Sequence, residues 1–421
     1  MKHKGLGVVY TPDDLVRFMV GLIGDPKPNS VVLEPGCGEN APFLKEFISR
    51  FGNSHDIVGI DVRDCKPDLN IQFVNDDFIL WDSETKFDII LGNPPYGIIG
   101  SPSHYAVPVL SENKKAYKRR LTTWFGKYNI YAAFIERAIQ LLNDDGILVF
   151  VVPASWLVLD DFKLLRRYLS ENGSVEIYYV GSVFSGVNVK AVVFKFVRSS
   201  SGMKLFDVSD GVWRDSEVFD LTNREVVWDP FWVGDMVRFM TPEWEMFELS
   251  GVPLSCLFDI RFAAQSTEYK ELQKDGVVTK LKPNPTNGIE MRPVLTGRNL
   301  SKGHIDYSTC YSGLWVHPDD VGSIRDFYTV PHLVVGHTKG TQLICAVDKG
   351  GYAWREEFHL VPNKNFKERG LDLYQVCDYL NSDKIQNYLM SVYRGIVPHL
   401  TKSMLERVPV RLDKPDNDRV L

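Results

Sequence analysis

The sequence predicts a doubly wound α/β domain over residues 1–238 and an irregular α+β domain over residues 239–421. Three observations predict it. Short apolar runs alternate with helix-length amphipathic segments through the first half, and those runs are continuous rather than alternating. From about Thr241 the chain turns irregular and rich in Pro, Gly and aromatic residues. A continuous β-branched run suits a strand covered on both faces, as in a parallel sheet, and a βαβα order puts helices on both sides of it. A length of 421 residues fits two domains of roughly 100–200 residues each.

Ser30–Leu33, Asp56–Ile60, Phe87–Leu91 and Gly146–Val152 read as strands, with Phe43–Phe51 and Tyr131–Leu142 as helices among them. Val175–Val180 and Ala191–Val197 predict a hairpin at the sheet edge. Arg198-Ser199-Ser200-Ser201-Gly202 is a turn or connector, and a helix is expected near Leu371–Met390.

Composition excludes several classes. With 44% hydrophobic residues there is material for packed cores, so wholesale disorder is excluded. Against 54 Asp+Glu there are 48 Lys+Arg, and 48 − 54 gives −6, which excludes a nucleic-acid binder held by bulk positive charge. No run reaches the ~18–20 apolar residues of a membrane helix, and no apolar stretch follows Met1–Gly5, so neither membrane span nor signal peptide is expected. The six cysteines form no Cys-x-x-Cys pair; reduced thiols, a cytoplasmic location and no metal are the expectation.

The chemistry sits at strand tips. Leu33-Glu34-Pro35-Gly36-Cys37-Gly38 closes the first strand with glycines that let backbone approach a ligand. It lacks the full dinucleotide glycine pattern, and Glu34 would repel a phosphate but suit an ammonium group. On these residues alone an ordinary tight turn reads equally well. Asp61, at the tip of the second strand, can accept both hydroxyls of a ribose. Asp76-Asp77-Phe78 offers an acceptor and a flat face for an adenine ring.

Asn93-Pro94-Pro95-Tyr96 follows the strand Phe87–Leu91. Two prolines fix φ and remove two donors, leaving a stiff loop of carbonyl oxygens. The Asn93 side-chain oxygen and the Pro94 carbonyl form a paired acceptor site for an NH₂ group on a planar ring, with Tyr96 as a stacking face. Such an amine is a poor nucleophile because its lone pair is conjugated; two acceptors on its hydrogens favour a pyramidal nitrogen that can attack.

These motifs resemble those of the S-adenosylmethionine-dependent amino-methyltransferases. The whole chain is similar to the Taq-type, gamma-class adenine-N6 DNA methyltransferases that modify TCGA in bacterial restriction–modification systems. The resemblance also rests on Gly126-Lys127-Tyr128-Asn129, Val151–Leu159, Leu295–Leu300, Pro331–Val335, His337–Gly340, Trp354–Leu360 and Val397–Thr401. It implies a Rossmann-like catalytic domain and a DNA target-recognition domain, a monomer acting on double-stranded DNA, and a cognate restriction endonuclease as genetic partner. It implies S-adenosylmethionine as cofactor, S-adenosylhomocysteine as product, and base flipping. Thr11, Glu34, Pro35, Gly36, Cys37, Asp61, Asp77, Phe78, Pro95 and Phe134 would line the cofactor pocket. Asn93 and Pro94 would hold the target amine, with Tyr96 and Phe184 against the extruded base.

The chain departs from the family pattern in Gly36-Cys37-Gly38, Asp61, the Ser185–Asn188 segment without paired lysines, and Gln265 in place of an Arg. For DNA, residues 113–135 hold Lys114, Lys115, Lys118, Arg119, Arg120 and Lys127 with Tyr117 and Trp124, and no acid. Such a strip neutralises phosphates, although charge runs are commonly solvated helix faces. Arg261, Arg292, Arg298, Lys339, Arg355 and Arg394 are further candidates in the second domain, some of them pairing with Glu356 and Glu357. Two rivals remain: a protein glutamine-N5 methyltransferase, whose carboxamide substrate poses the same electronic problem, and a non-catalytic DNA-recognition module. A nicotinamide oxidoreductase stands further off for want of the glycine pattern.

Overall fold

The computed structural model describes residues 10–99, 113–184, 186, 189–214, 221, 223–280, 290–324, 330–337 and 342–411. The chain divides into two compact units, Met1–Phe239 and Met240–Leu421.

The first unit is built on a nine-stranded sheet. Its elements run α1 (Asp13–Gly21), β1 (Val31–Pro35), α2 (Pro42–Phe51), β2 (Asp56–Asp61), β3 (Gln72–Asn75), β4 (Phe87–Gly92), α3 (Lys114–Arg120), α4 (Ile130–Leu141) and β5 (Leu142–Pro153). Then come α5 (Lys163–Asn172), β6 (Gly173–Gly181), β7 (Ala191–Arg198), β8 (Met203–Asp207) and β9 (Glu225–Asp229). The spatial order is β3-β2-β1-β4-β5-β7-β6-β8-β9. From β3 to β5 every pairing is parallel.

The sequence order reverses between β1 and β4, and such a switch point leaves a crevice beyond the strand C-termini. Helices α1 and α2 each bury an apolar face, whereas α4 is buried on nearly all sides. Phe18 of α1 and Phe43 and Phe47 of α2 pack with Ile89, Leu91, Val149 and Val151 of the sheet.

The expected edge hairpin lies elsewhere. β7 is inserted antiparallel between β5 and β6, and β8 and β9 extend the sheet beyond them. The physical reason is burial. Val192, Val193 and Phe194, successive residues of β7, are all fully buried, which requires cover on both faces and a strand on each side. Arg198–Gly202 is indeed a turn, but it joins β7 to β8 within the first unit, with Ser199 and Gly202 at positive φ.

The second unit carries a four-stranded antiparallel sheet of β10 (Phe258–Phe262), β11 (His332–Val335), β12 (Cys345–Asp348) and β13 (Phe358–Pro362), in the order β10-β13-β11-β12. The single helix expected near Leu371–Met390 is two helices, α6 (Leu373–Leu380) and α7 (Asp383–Tyr393). Asn381 breaks it, because its amide pairs with both the N–H and the C=O of Cys345 in β12, at 3.0 and 2.8 Å. A buried polar knot ties this core. Asp348 accepts from Trp354 Nε1 and the Tyr307 hydroxyl, both at 2.9 Å, while His332 and His359 share a 2.8 Å hydrogen bond. All six cysteines are free thiols. Among the described residues no helix is long and apolar enough to cross a membrane, and no group of three or more His, Cys, Asp or Glu is arranged to hold a metal ion.

Candidate active site

A cavity of about 700 Å³ opens at the switch point, beyond the C-termini of β1, β2 and β4. Nine of the ten sequence-expected cofactor residues line it: Thr11, Glu34, Gly36, Cys37, Asp61, Asp77, Phe78, Pro95 and Phe134. Pro35 does not. It is the last residue of β1, pairs in register with Ile60, and is buried in the sheet.

The turn after β1 is shaped by backbone. Gly36 and Gly38 have φ of 71° and 60°, the left-handed region that side chains resist. A Cβ on Gly36 would stand in ordinary contact with Phe134 at 3.8 Å and Pro95 at 3.9 Å, so the backbone conformation rather than space calls for glycine. Gly36 and Cys37 donate their N–H groups to the Ile60 carbonyl, which locks the turn to β2. The Cys37 side chain turns inward toward Gly59, and burial pushes its thiol far above the usual range. It therefore lines the cavity as a thiol rather than a thiolate.

Glu34 is 2% exposed, and one carboxylate oxygen accepts the Leu44 N–H at the start of α2, at 3.0 Å. Burial raises its pKa to about 8, against the weaker pull of the Leu44 and Phe43 amides. With no cation beside it Glu34 favours its neutral form near pH 7; an ammonium group placed there would favour the carboxylate.

Asp61 accepts from the Gly38 N–H at 2.9 Å and is bridged by Arg63, whose Nε and Nη2 donate at 3.0 and 3.2 Å. Arg63 thus occupies the acceptor expected to meet a ribose. Phe78 and Phe134 pack on one another at 4.9 Å and 46°, forming an aromatic wall beside Asp77. Tyr10 and Val62 line the same cavity and are 69% and 43% exposed, apolar surface left uncovered at its mouth.

The Asn93-Pro94-Pro95-Tyr96 loop leaves β4 at this cavity. Asn93 and Pro95 line it; Pro94 is buried and Tyr96 lies away from it. The Asn93 amide donates to Thr11 Oγ1 at 3.0 Å, so its NH₂ end is anchored and its carbonyl end faces the other way. The Tyr96 hydroxyl donates to the Val151 carbonyl at 3.1 Å. The Tyr96 ring meets Phe184 at 6.0 Å and Tyr131 at 6.2 Å, both edge-to-face. These rings make an aromatic corner beside the loop, with Phe184 buried in it.

Residues 44–184 match the family model described as Eco57I restriction-modification methylase, and residues 292–410 match the TaqI-like C-terminal specificity domain. Over 418 residues, 98% of this chain and 93% of the relative, the sequence is 48% identical to the type II methyltransferase M.TthHB8I of Thermus thermophilus. The chain belongs to the type II methyltransferases of restriction–modification systems. Type II methyltransferase M.HincII of Haemophilus influenzae is 31% identical over 209 residues, 48% of this chain and 39% of that relative. Among solved structures, the DrdV–DNA complex shares the fold with a TM-score of 0.50 at 13% identity, covering 90% of this chain and 52% of that one. Membership of the methyltransferases implies S-adenosylmethionine as methyl donor.

The expected basic strip is only partly available. On this methyltransferase Lys115, Lys118, Arg119 and Lys127 are exposed. Arg120 instead bonds the Leu80 and Trp81 carbonyls and Asp82, which makes it a tether for the loop after β3. Trp124 stacks on Tyr128 at 4.6 Å with Lys118 over its face at 5.5 Å.

In the second unit Arg261 and Arg298 are exposed. Arg292 lies over the Tyr352 ring at 5.0 Å, and Arg355 approaches Glu356 at 3.9 Å. Glu357 instead accepts the His337 N–H. Arg394 closes α7 with φ 52°. Gln265 starts a helix, its N–H donating to Glu268. Lys339, the Met1–Gly5 segment and Ser185, Val187 and Asn188 lie outside the described residues.

Sequence reasoning missed Arg63, Tyr10 and Val62 at the cavity. Val62 and Arg63 directly follow Asp61, so proximity along the strand tip was the signal to use.

Proposed function

We propose that this methyltransferase transfers a methyl group from S-adenosylmethionine to N6 of adenine in duplex DNA, at TCGA, with the adenine rotated out of the stack. The observation that carries the proposal is Asn93, anchored by Thr11 on the wall of the cavity at the tip of β4. The cavity's chemistry fits the cofactor: carboxyl groups at Glu34 and Asp61 for an ammonium and a ribose, an aromatic wall for a purine face, and a glycine turn whose positive φ other residues resist. When bound, the cofactor supplies an electrophilic sulfonium methyl.

The rest is positioning by the chain. Asp61 would accept the ribose hydroxyls and Asp77 the adenine amine. The side-chain oxygen of Asn93 and the carbonyl of Pro94 would accept the two hydrogens of the target N6, favouring a pyramidal nitrogen, and the same oxygens balance the positive charge it gains in attack. Rotation of the adenine is required because N6 is otherwise engaged in pairing, at a cost of a few kcal/mol. Tyr96 would supply its stacking face and Phe184 would close the corner. Lys115, Lys118, Arg119 and Lys127 would meet phosphates, and the second unit, matched to a specificity domain, would read the site. Modification of host DNA would protect it from a cognate endonuclease.

The test is to incubate the protein with labelled S-adenosylmethionine and duplexes with or without TCGA, then digest to nucleosides. Label in N6-methyladenine from TCGA duplexes alone is expected. Label in cytosine or in protein overturns the proposal.

A further inference from the structure

Asp77 is held by three donors before any ligand arrives. Its Oδ1 accepts the Ile79 N–H at 3.0 Å, and its Oδ2 accepts the Tyr117 hydroxyl at 2.5 Å and the Asn113 Nδ2 at 3.1 Å. A carboxylate offers about four acceptor positions, so one remains, on Oδ1. Asp77 lines the cavity beside the Phe78–Phe134 ring pair.

Tyr117 comes from α3, a helix forty residues further along the chain, and is fully buried. Burial first, and the adjacent Asp77 second, hold its hydroxyl protonated far above the usual range, so it stays a donor. Asn113 sits immediately before the same helix. Two donors from one helix therefore fix the rotation of a carboxylate on the cavity wall.

We propose that Tyr117, helped by Asn113, is a positioning residue that makes Asp77 a single-donor acceptor and thereby selects a 6-amino over a 6-oxo purine in the cofactor. This rests on the reading that the cavity holds the adenine of S-adenosylmethionine. An adenine amine presents one N–H to the remaining position. A 6-oxo ring presents a carbonyl oxygen there, which a carboxylate repels. Once released by loss of Tyr117, the carboxylate can turn and accept the N1–H of the 6-oxo ring instead.

The experiment is calorimetric titration of the full chain with S-adenosylhomocysteine and with S-inosylhomocysteine. Wild type, Tyr117→Phe and Asn113→Ala are compared, with thermal melting to confirm folding. Asn113→Ala lies outside the core and keeps the test open if the tyrosine variant fails to fold. The wild type should prefer the adenosyl ligand. In Tyr117→Phe its affinity should fall about tenfold, the usual scale for one hydrogen bond to a charged group, while the inosyl ligand is unaffected or binds better. Asn113→Ala should move the ratio the same way by less. A wild-type preference retained unchanged in both variants overturns the proposal and leaves the cavity assignment standing. Absence of binding by the wild type to either ligand overturns both.

Discussion

Glu34→Gln isolates the energetic cost of a buried acid. The carboxyl is 2% exposed, and its pKa rises from the ordinary 4.5 to about 8 because burial penalises the charge. Below pH 4.5 the group is protonated whether the chain is folded or not, so it adds no pH dependence. Between there and pH 8 the unfolded chain sheds the proton while the folded chain keeps it, so stability is lost as pH rises; above pH 8 the loss is complete.

At about 1.4 kcal/mol per pH unit this window is worth at most about 5 kcal/mol, a large share of a domain's stability. Glutamine keeps the shape and the acceptor for the Leu44 N–H but cannot ionise. Hydrogen exchange read by mass spectrometry on peptides spanning β1 and α2 confines the measurement to the first unit, and variant and wild type are compared at each pH. Glu34→Gln should gain on wild type steadily from pH 5 to 8 and then level off. A difference that stays flat from pH 5 to 9 would refute the argument.

Three further outcomes follow from the same geometry. Arg63→Ala releases the buried Asp61 from an ion pair with a partly exposed guanidinium, worth about 1 kcal/mol, so S-adenosylhomocysteine should bind about two- to fivefold tighter by calorimetry. Weaker binding would show that Arg63 contributes to the ligand instead. Gly126 has φ +56°, and a Cβ there would lie 1.8 Å from the Asp161 carboxylate. Gly126→Ala should therefore cost about 2 kcal/mol or more, seen as a lower melting temperature; an unchanged midpoint contradicts it. Trp354→Phe removes a donor from the fully buried Asp348 and should destabilise the second unit by about 1–3 kcal/mol in urea unfolding, where no change would count against the polar knot.

Local chemistry was legible wherever a strand tip carried it. Continuous runs such as Ile147–Val152 announced strands covered on both faces, and Glu34, Asp61 and Asn93, spaced one strand apart, reached a common cavity because parallel strands end on the same side. Pairing between distant segments was not legible. The place of β7 between β5 and β6 depends on partners that no local pattern names. Half-buried β9, with its exposed Trp228, gave no strand signal. Asn381 breaks a periodic helix for a tertiary reason, its bonds to Cys345 in β12. The same holds at the site. Tyr117 read as part of a basic strip, and only the folded chain brings its hydroxyl to Asp77. Arg120 read as a phosphate contact and is instead a tether to Leu80, Trp81 and Asp82, because the carbonyls that hold it lie far back in sequence. Net charge misled for a related reason: −6 describes the whole chain, whereas Lys115, Lys118, Arg119 and Lys127 are exposed within one short stretch.

The central claim is that Asn93 activates an exocyclic amine beside the cofactor cavity. The most direct test measures, on one preparation of Asn93→Ala, methyl transfer to a TCGA duplex and binding of S-adenosylhomocysteine by calorimetry. The account predicts that transfer is abolished while the cofactor product still binds, because Asn93 holds the amine and most of the cavity is built by other residues. Transfer at the wild-type rate would contradict it.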